Sequence, residues 1–199
     1  MTGTGVIQTA VLALVVLTQP LAAQRWGQGY VGAIAGATFS DTYGVVDSDS
    51  RWGGTAGVVV GYRTTNWAVV SFEPSWIQKG GSGGPYDIRL DYVEVPVTIG
   101  GVARSKDDRW RFVGYFGLAA AFKVGCSSNV VVLDCDTAES TEWSTPLGVR
   151  VFRLAGDATA VGLDIRYALP LSGAWETQVL DNRAWSFRLA VIQAVGNER

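Results

Sequence analysis

Hydrophobic and polar residues alternate along much of the chain, most clearly in ATAVGLDIRYALPL, residues 158–171. The odd-numbered positions from Val161 to Leu169 are apolar or aromatic, whereas Asp164 and Arg166 lie at even positions between them. A period of two is typical of a β-strand with one apolar and one polar face. Similar patterns along the chain predict eight strands. They span Gly29–Phe39, Trp52–Arg63, Trp67–Lys79, Ile88–Val102, Trp110–Val124, Glu142–Leu154, Ala158–Leu169 and Arg183–Val195.

The predicted strands are long, and the connections between them alternate in length. Strands of soluble sheets usually have about five or six residues, whereas about nine to eleven are needed to cross a bilayer at a tilt. Short turns at 64–66, 105–109 and 155–157 alternate with longer polar loops at 41–50, 80–87, 125–140 and 170–182. Outer-membrane barrels have this layout, with the short turns on the periplasmic side. The sequence therefore predicts an all-β, eight-stranded antiparallel up-and-down transmembrane β-barrel.

Aromatic residues fall near both ends of the apolar strand faces. Trp67 and Trp76 bracket the apolar face of the third strand, nine residues apart. At about 3.3 Å per residue and a tilt near 40°, that separation projects to roughly 23–25 Å, close to the apolar band of about 25 Å in such barrels. These positions predict aromatic girdles at the two membrane interfaces. Their members are Trp52, Tyr62, Trp67, Trp76, Trp110, Phe122, Trp143, Tyr167 and Trp185.

If the apolar faces contact lipid, the charged faces point into the barrel. Eight strands leave an interior that side chains can just fill, and buried charges must be paired. Because both signs occur in similar number, we interpret the inward set as a structural plug of paired charges, with an ion-conducting or catalytic role as the alternative. The predicted lumen residues are Glu73, Arg89, Asp91, Glu94, Arg150, Asp164, Arg166 and Arg188.

One predicted strand breaks the alternation. In IRLDYVEVPVTIG, residues 88–100, the apolar face includes Ile88 and Tyr92 and then switches to the side that starts at Val93. A β-bulge near Tyr92 to Glu94 would explain this change of phase. Pro96 lacks a ladder donor and suits such an irregular place.

Composition narrows the class of protein further. Only 17% of the 199 residues are charged, whereas there are 25 glycines and 8 tryptophans, as expected of a short-turned β architecture at a membrane. A net charge of −2 gives no indication of a nucleic-acid partner. The apolar run from Val11 to Leu17, followed by Ala22 and Ala23, predicts a signal peptide over residues 1–23 and a barrel domain over residues 24–199. An uncleaved membrane anchor is the alternative.

The chain contains two cysteines and no histidine. An exported protein meets an oxidising compartment, so a disulfide between Cys126 and Cys135 is predicted, with two free thiols as the alternative. The absence of histidine removes the commonest general base and the commonest metal ligand. We therefore predict no enzymatic activity, no cofactor and no metal site.

Two motifs resemble a known family. DYVEVPVTIG, residues 91–100, resembles a Tyr-Leu-Glu-Ile-Pro strand of the PorT-like outer-membrane β-barrel domain family, and WIQKGG, residues 76–81, resembles the aromatic–x–x–Lys-Gly motif that precedes it. GYVGAIAGATFSD, residues 29–41, is similar to the first strand of that family. The resemblance implies a small barrel of the OmpA/OmpX type in the outer membrane of a diderm bacterium.

Together these observations predict an integral outer-membrane protein with a structural or surface-interaction role. The expected partners are outer-membrane lipid, lipopolysaccharide, the barrel-insertion machinery and an extracellular partner at the long loops, with a monomeric barrel and no nucleic acid. One alternative is a narrow pore or transport accessory. Another is a soluble, exported lipocalin-like barrel that binds an apolar ligand inside, which would require the apolar faces to point inward.

Overall fold

The computed structural model describes residues 29–43, 49–83, 86–129, 135–136, 138–172, 174 and 181–195. The predicted signal peptide lies outside these residues. The described part of the chain forms nine β-strands. They are β1 (Gly29–Tyr43), β2 (Asp49–Arg63), β3 (Ala68–Phe72), β4 (Ser75–Gly83), β5 (Tyr86–Arg104), β6 (Trp110–Ser128), β7 (Thr141–Leu154), β8 (Thr159–Pro170) and β9 (Asp181–Val195).

The strands close into one antiparallel ring. Each strand pairs with the next along the chain, except that β3 and β4 lie end to end and both pair with β2 and β5. β1 pairs with β9, so that Gly29 lies opposite Val195. Closure gives every strand a partner on both sides and removes the unpaired edges of an open sheet. The predicted up-and-down barrel is confirmed.

The third predicted strand is interrupted and forms β3 and β4. Both segments lie between β2 and β5, and both keep the same register with β5, since Phe72 pairs with Val97 and Ser75 with Glu94. The gap falls at Pro74, which has no N–H to donate to the ladder. The Pro74 carbonyl still accepts a hydrogen bond from the Val58 N–H at 3.0 Å, so the barrel wall is continuous across the gap. Because β3 and β4 share one position, the ring has eight strand positions.

The two ends of the barrel differ. Three short connections, at 64–67, 105–109 and 155–158, lie together with Gly29 and Val195 at one end, which we call the turn end. The opposite end is called the loop end. The predicted long loop at 80–87 is wrong, because β4 continues to Gly83 and β5 starts at Tyr86, leaving only two residues between them.

The predicted bulge is present in the neighbouring strand rather than in β5. Asp91 pairs with Gly125 and Tyr92 with Lys123, so Val124 is the extra residue and belongs to β6. Even-numbered side chains of β5 point inward from Ile88 to Gly100 without a change of phase. The apolar residues change sides because an apolar cluster fills the lumen near the loop end.

Close approach between β1 and β9 depends on a residue without a side chain. A Cβ at Gly36 would overlap the carbonyl oxygen of Phe187 and crowd the Cα of Arg188. Gly36 lies on the inward face of β1, directly opposite Arg188 in the ladder. The missing side chain therefore lets the backbones of β1 and β9 approach closely at this position.

No helix within the described residues has the length and apolar character needed to span a bilayer.

Candidate functional site

The apolar strand faces point away from the barrel axis. Phe116, Leu163 and Leu189 are 62%, 58% and 62% exposed, whereas Asp164 and Arg166 are 1% and 2% exposed. This is the reverse of a soluble protein, in which large apolar side chains form the core. The lipocalin-like alternative requires apolar side chains around a central cavity, and the structure contradicts it.

Glu73 lies at the centre of the lumen and is fully buried. One of its carboxylate oxygens is ion-paired with Arg150, and the other is paired with Arg166 and, at 3.4 Å, with Arg188. The Thr98 hydroxyl donates to Glu73 at 3.4 Å. Three guanidinium groups from three consecutive strands therefore converge on one carboxylate from the opposite wall.

Asp164 pairs with two of these arginines, Arg150 and Arg188, from the same wall of the barrel. Arg150, Asp164 and Arg188 lie directly opposite one another on β7, β8 and β9. Asp164 Oδ2 accepts from Arg150 Nε at 3.0 Å and also from Arg188, while the Tyr115 hydroxyl donates to Oδ1 at 2.7 Å. The Tyr115 ring also lies under the Arg150 guanidinium, at 4.1 Å, in cation–π geometry.

A second group of charges continues the network towards the loop end. Lys79 Nζ lies 3.5 Å from Glu94 and 3.4 Å from Glu142, and Glu94 in turn accepts from Arg166 at 3.3 Å. The Tyr92 hydroxyl donates to Glu142. These contacts join both groups into one assembly, the charged plug, whose ionic members are Glu73, Lys79, Glu94, Glu142, Arg150, Asp164, Arg166 and Arg188.

The charged plug contains four carboxylates and four cationic groups, so its formal charges cancel. Isolated charges in a low-dielectric interior are very costly, and pairing with multiple hydrogen bonds is what makes their burial tolerable. Among the described residues, no group of acidic side chains and cysteines has the arrangement of a metal site. The charged plug therefore has the composition expected of a structural network whose buried charges neutralise one another.

Two of the predicted lumen residues lie elsewhere. Arg89 and Asp91 are on the outward face of β5, with side chains 42% and 18% exposed, and they pair with each other at 3.1 Å. The prediction that they face the lumen is wrong. Both lie nearer the loop end than Val93, which pairs with Trp76, and a charged pair is tolerated on the outer wall above the apolar band.

Sequence analysis left four participants out of the predicted set, namely Lys79, Glu142, Tyr92 and Tyr115. The positions of Lys79 and Glu142 indicated that both side chains face the lumen, because each residue lies on the polar face of its predicted strand. Tyr115 also lies on the polar face of its predicted strand. The position of Tyr92 gave no such indication, since a phenol suits either face of a membrane strand. The roles of the two tyrosines depend on which carboxylate lies across the barrel.

Comparison with known proteins agrees with the barrel fold. A family model described as the outer membrane protein beta-barrel domain matches residues 9–192. The chain belongs to this family. Its localisation is the outer membrane. No curated protein matches the sequence significantly.

Two solved outer-membrane barrels have a similar fold. OprG from Pseudomonas aeruginosa gives a TM-score of 0.57 at 8% identity, over 87% of this chain and 99% of that one. Neisserial surface protein A gives a TM-score of 0.54 at 16% identity, over 85% of this chain and 98% of that one. At these identities the similarity concerns the fold.

In this outer-membrane barrel, an apolar cluster lies on the loop side of the charged plug. Ile77, Ile88, Leu90 and Tyr92 pack with Ala138 and Ala174, which come from the two connections that follow β6 and β8. We call Ala138, Glu139 and Ala174 the cap. The Glu139 N–H donates to the Ala174 carbonyl at 2.9 Å, which ties the two connections together over the mouth.

A disulfide and a lysine hold the cap in place. The predicted Cys126–Cys135 disulfide is formed, and Cys126 packs against the apolar cluster below the cap. Lys123 Nζ donates to the carbonyls of Cys135 at 2.9 Å and Ala138 at 2.5 Å. The connection after β6 is therefore anchored to the barrel wall at both the disulfide and Lys123.

A second apolar cluster fills the turn-end half of the outer-membrane barrel. Tyr30, Ile34, Val113, Phe152 and Ile192 belong to it. Between this cluster and the turn-end mouth lies a cavity of about 30 Å³, lined in part by arginine side chains. That volume accommodates about one or two water molecules.

The predicted girdle residues all lie on the outer wall. Eight of the nine are between 38% exposed, for Trp76 and Trp110, and 68% exposed, for Trp67. Tyr167 is half-buried against Trp185, with ring centroids 4.7 Å apart. Tyr62, Trp67 and Trp110 are near the turn end. The remaining members are nearer the loop end, namely Trp52, Trp76, Phe122, Trp143, Tyr167 and Trp185.

Proposed function

We propose that this outer-membrane barrel is a closed, non-conducting protein with a structural or surface-interaction role exerted from its loop end. The observation that carries the proposal is the charged plug, which joins opposite walls through Glu73, Arg150 and Arg166. The two apolar clusters and the cap fill the lumen on either side of it. A narrow pore would need a continuous polar path through both clusters.

The chemistry of the plug also supports a protein without catalytic activity. A general acid or base needs a carboxylate with room for a substrate beside it. Glu73, Glu142 and Asp164 are each occupied by cations and hydroxyl donors and are nearly inaccessible to solvent. The proposal therefore includes no cofactor and no metal.

The finer family assignment belongs to this proposal. The two motifs that resemble the PorT-like family, at residues 76–81 and 91–100, lie side by side, because Trp76 pairs with Val93 and Gln78 with Asp91. Motifs that are neighbours in space favour a shared structural element over coincidental similarity. We assign the chain to the PorT-like group within the outer-membrane barrel family on this basis.

The proposed partners follow from the location. We propose that the outer wall contacts lipid and lipopolysaccharide, that the barrel-insertion machinery places the chain in the membrane, and that an extracellular partner binds at the loop end. The barrel is proposed to act as a monomer, because closure of β1 on β9 leaves no strand edge for a second copy.

Conductance in a planar lipid bilayer tests the closed state. The purified barrel, shown to be folded by its mobility in an SDS gel, is expected to insert without producing discrete current steps. Vesicles that contain it are expected not to swell in small neutral sugars. A steady open channel at either readout would overturn the proposal and support the narrow pore.

Thiol labelling of intact cells tests the orientation. Ser140→Cys places an exposed thiol at the loop end, and Lys106→Cys places one in a short turn at the opposite end. A membrane-impermeant maleimide is expected to label Ser140→Cys on intact cells and Lys106→Cys only after the outer membrane is permeabilised. The opposite result would place the loop end in the periplasm.

A further inference from the structure

A groove runs across the lipid-facing wall near the turn end. It is a shallow depression of about 660 Å³ that opens outward from the barrel. The lining comes from four consecutive strands and one turn. It includes Trp110, Val151, Arg153, Ala155, Leu163 and Leu189.

The groove combines an apolar wall with one cation. Val151, Leu163 and Leu189 pair across β7, β8 and β9 and form its apolar part. Arg153 pairs with Trp110 on β6, and its guanidinium lies 5.8 Å from the centre of the Trp110 ring. Among the described residues, no carboxylate lies within ion-pair distance of Arg153.

Near the turn end of a lipid-facing wall, the phosphate groups of membrane lipids are anions within reach of the exposed Arg153 guanidinium. Tryptophan and arginine are both suited to the headgroup level, where the indole anchors and the arginine stem lies along the apolar surface. A guanidinium binds phosphate through paired N–H donors. The apolar part of the groove is placed to hold a hydrocarbon chain attached to that phosphate.

We propose that this groove binds one glycerophospholipid, with the phosphate on Arg153 and an acyl chain along Val151, Leu163 and Leu189. The assignment to the periplasmic leaflet rests on the orientation in the proposed function. The lipid contact itself depends only on the barrel being inserted in a membrane. Lipopolysaccharide, the other phosphorylated lipid of this membrane, is the alternative occupant.

Native mass spectrometry of the detergent-solubilised barrel with phosphatidylglycerol tests the proposal. The wild-type protein is expected to retain one lipid, and Arg153→Gln is expected to weaken that binding at least tenfold. Arg89→Gln is the matched control, since Arg89 is also on the outer wall but already pairs with Asp91. Equal binding by the wild type and Arg153→Gln would overturn the proposal.

A second pair of variants tests the acyl-chain part of the groove. Val151→Trp fills it and is expected to reduce lipid retention, whereas Val58→Trp adds the same bulk on the outward face of β2, away from the groove, and is expected to have no effect. Diacylglycerol, which has no phosphate, is expected not to be retained. Arg153-dependent retention of lipopolysaccharide without retention of phosphatidylglycerol would also overturn the proposal. None of these readouts depends on whether the barrel conducts.

Discussion

At the scale of single residues, the interior depends on Glu73 more than on any other plug member described. It is the carboxylate that three guanidinium groups share, and it reaches them from the opposite wall. Removing one partner of a buried ionic group costs more than the pair contributes, because the remaining charges stay buried without compensation. The lumen is therefore intolerant of single charge changes.

We expect Glu73→Gln to lower the free energy of unfolding by about 3–5 kcal/mol, the range for breaking a buried ion pair. Urea titration of the barrel folded into lipid vesicles measures the change. The matched control is Asp157→Asn, an exposed carboxylate in the last short turn, which is expected to have an effect of less than about 0.5 kcal/mol.

A charge-balanced double variant checks the mechanism. Combining Glu73→Gln with Arg166→Gln removes one charge of each sign and is expected to cost less than the sum of the two single changes. If Glu73→Gln and Asp157→Asn were equally harmless, Glu73 would not hold the arginines as described.

At the scale of the strand, the decisive property is which face meets hydrocarbon. On β6, Trp110 and Phe122 bracket Phe116 at equal sequence distance, so Phe116 is expected near the bilayer midplane. Val124 lies on the same outer wall beyond Phe122, at the bulge towards the loop end. The two positions are similarly exposed, at 62% and 60%, and differ mainly in depth.

We expect Phe116→Arg to destabilise the vesicle-embedded barrel by about 2–4 kcal/mol and Val124→Arg by at most about 1 kcal/mol. The physical reason is the cost of placing a guanidinium in hydrocarbon rather than at the interface. Urea titration in vesicles again gives both values. Similar costs at the two positions would contradict the assigned depth of β6 in the membrane.

At the scale of the whole molecule, stability comes from a closed ladder of hydrogen bonds around the ring. β5 and β6 have 19 residues each, and every strand is paired along both of its edges. A membrane leaves no water to replace broken backbone hydrogen bonds, so opening the ring anywhere is strongly opposed. The disulfide joins residues only nine apart and anchors a connection rather than the ring.

We therefore expect the barrel to remain compact in unheated SDS and to change mobility on boiling. Adding a reductant without heating is expected to leave the compact band in place, because the ladder and not the disulfide holds the ring closed. Gel mobility with and without heat and reductant is the measurement. Loss of the compact band on reduction alone would show that the Cys126–Cys135 bridge maintains the fold.

Much of the barrel wall could be predicted from local sequence patterns, whereas the ion pairs between side chains in the lumen could not. Strand positions and the outward apolar faces are recoverable because alternation is a local property. The disulfide is recoverable because an exported chain with two cysteines has one possible pairing. Arg89 and Asp91 were misplaced because a polar residue on a strand can point into the lumen or out above the membrane. Only its height in the barrel distinguishes these two positions.

The amino-acid sequence by itself determined that the chain forms a ring of amphipathic strands with its apolar side in lipid. A two-residue period and the positions of the aromatic residues suffice for that conclusion. The tertiary structure alone decided which charges meet, as when Arg166 on β8 pairs with Glu73, 93 residues earlier in the chain. The reason is that contacts across the lumen depend on the register of every strand pair around the closed ring. A local sequence pattern does not determine the combined effect of these registers.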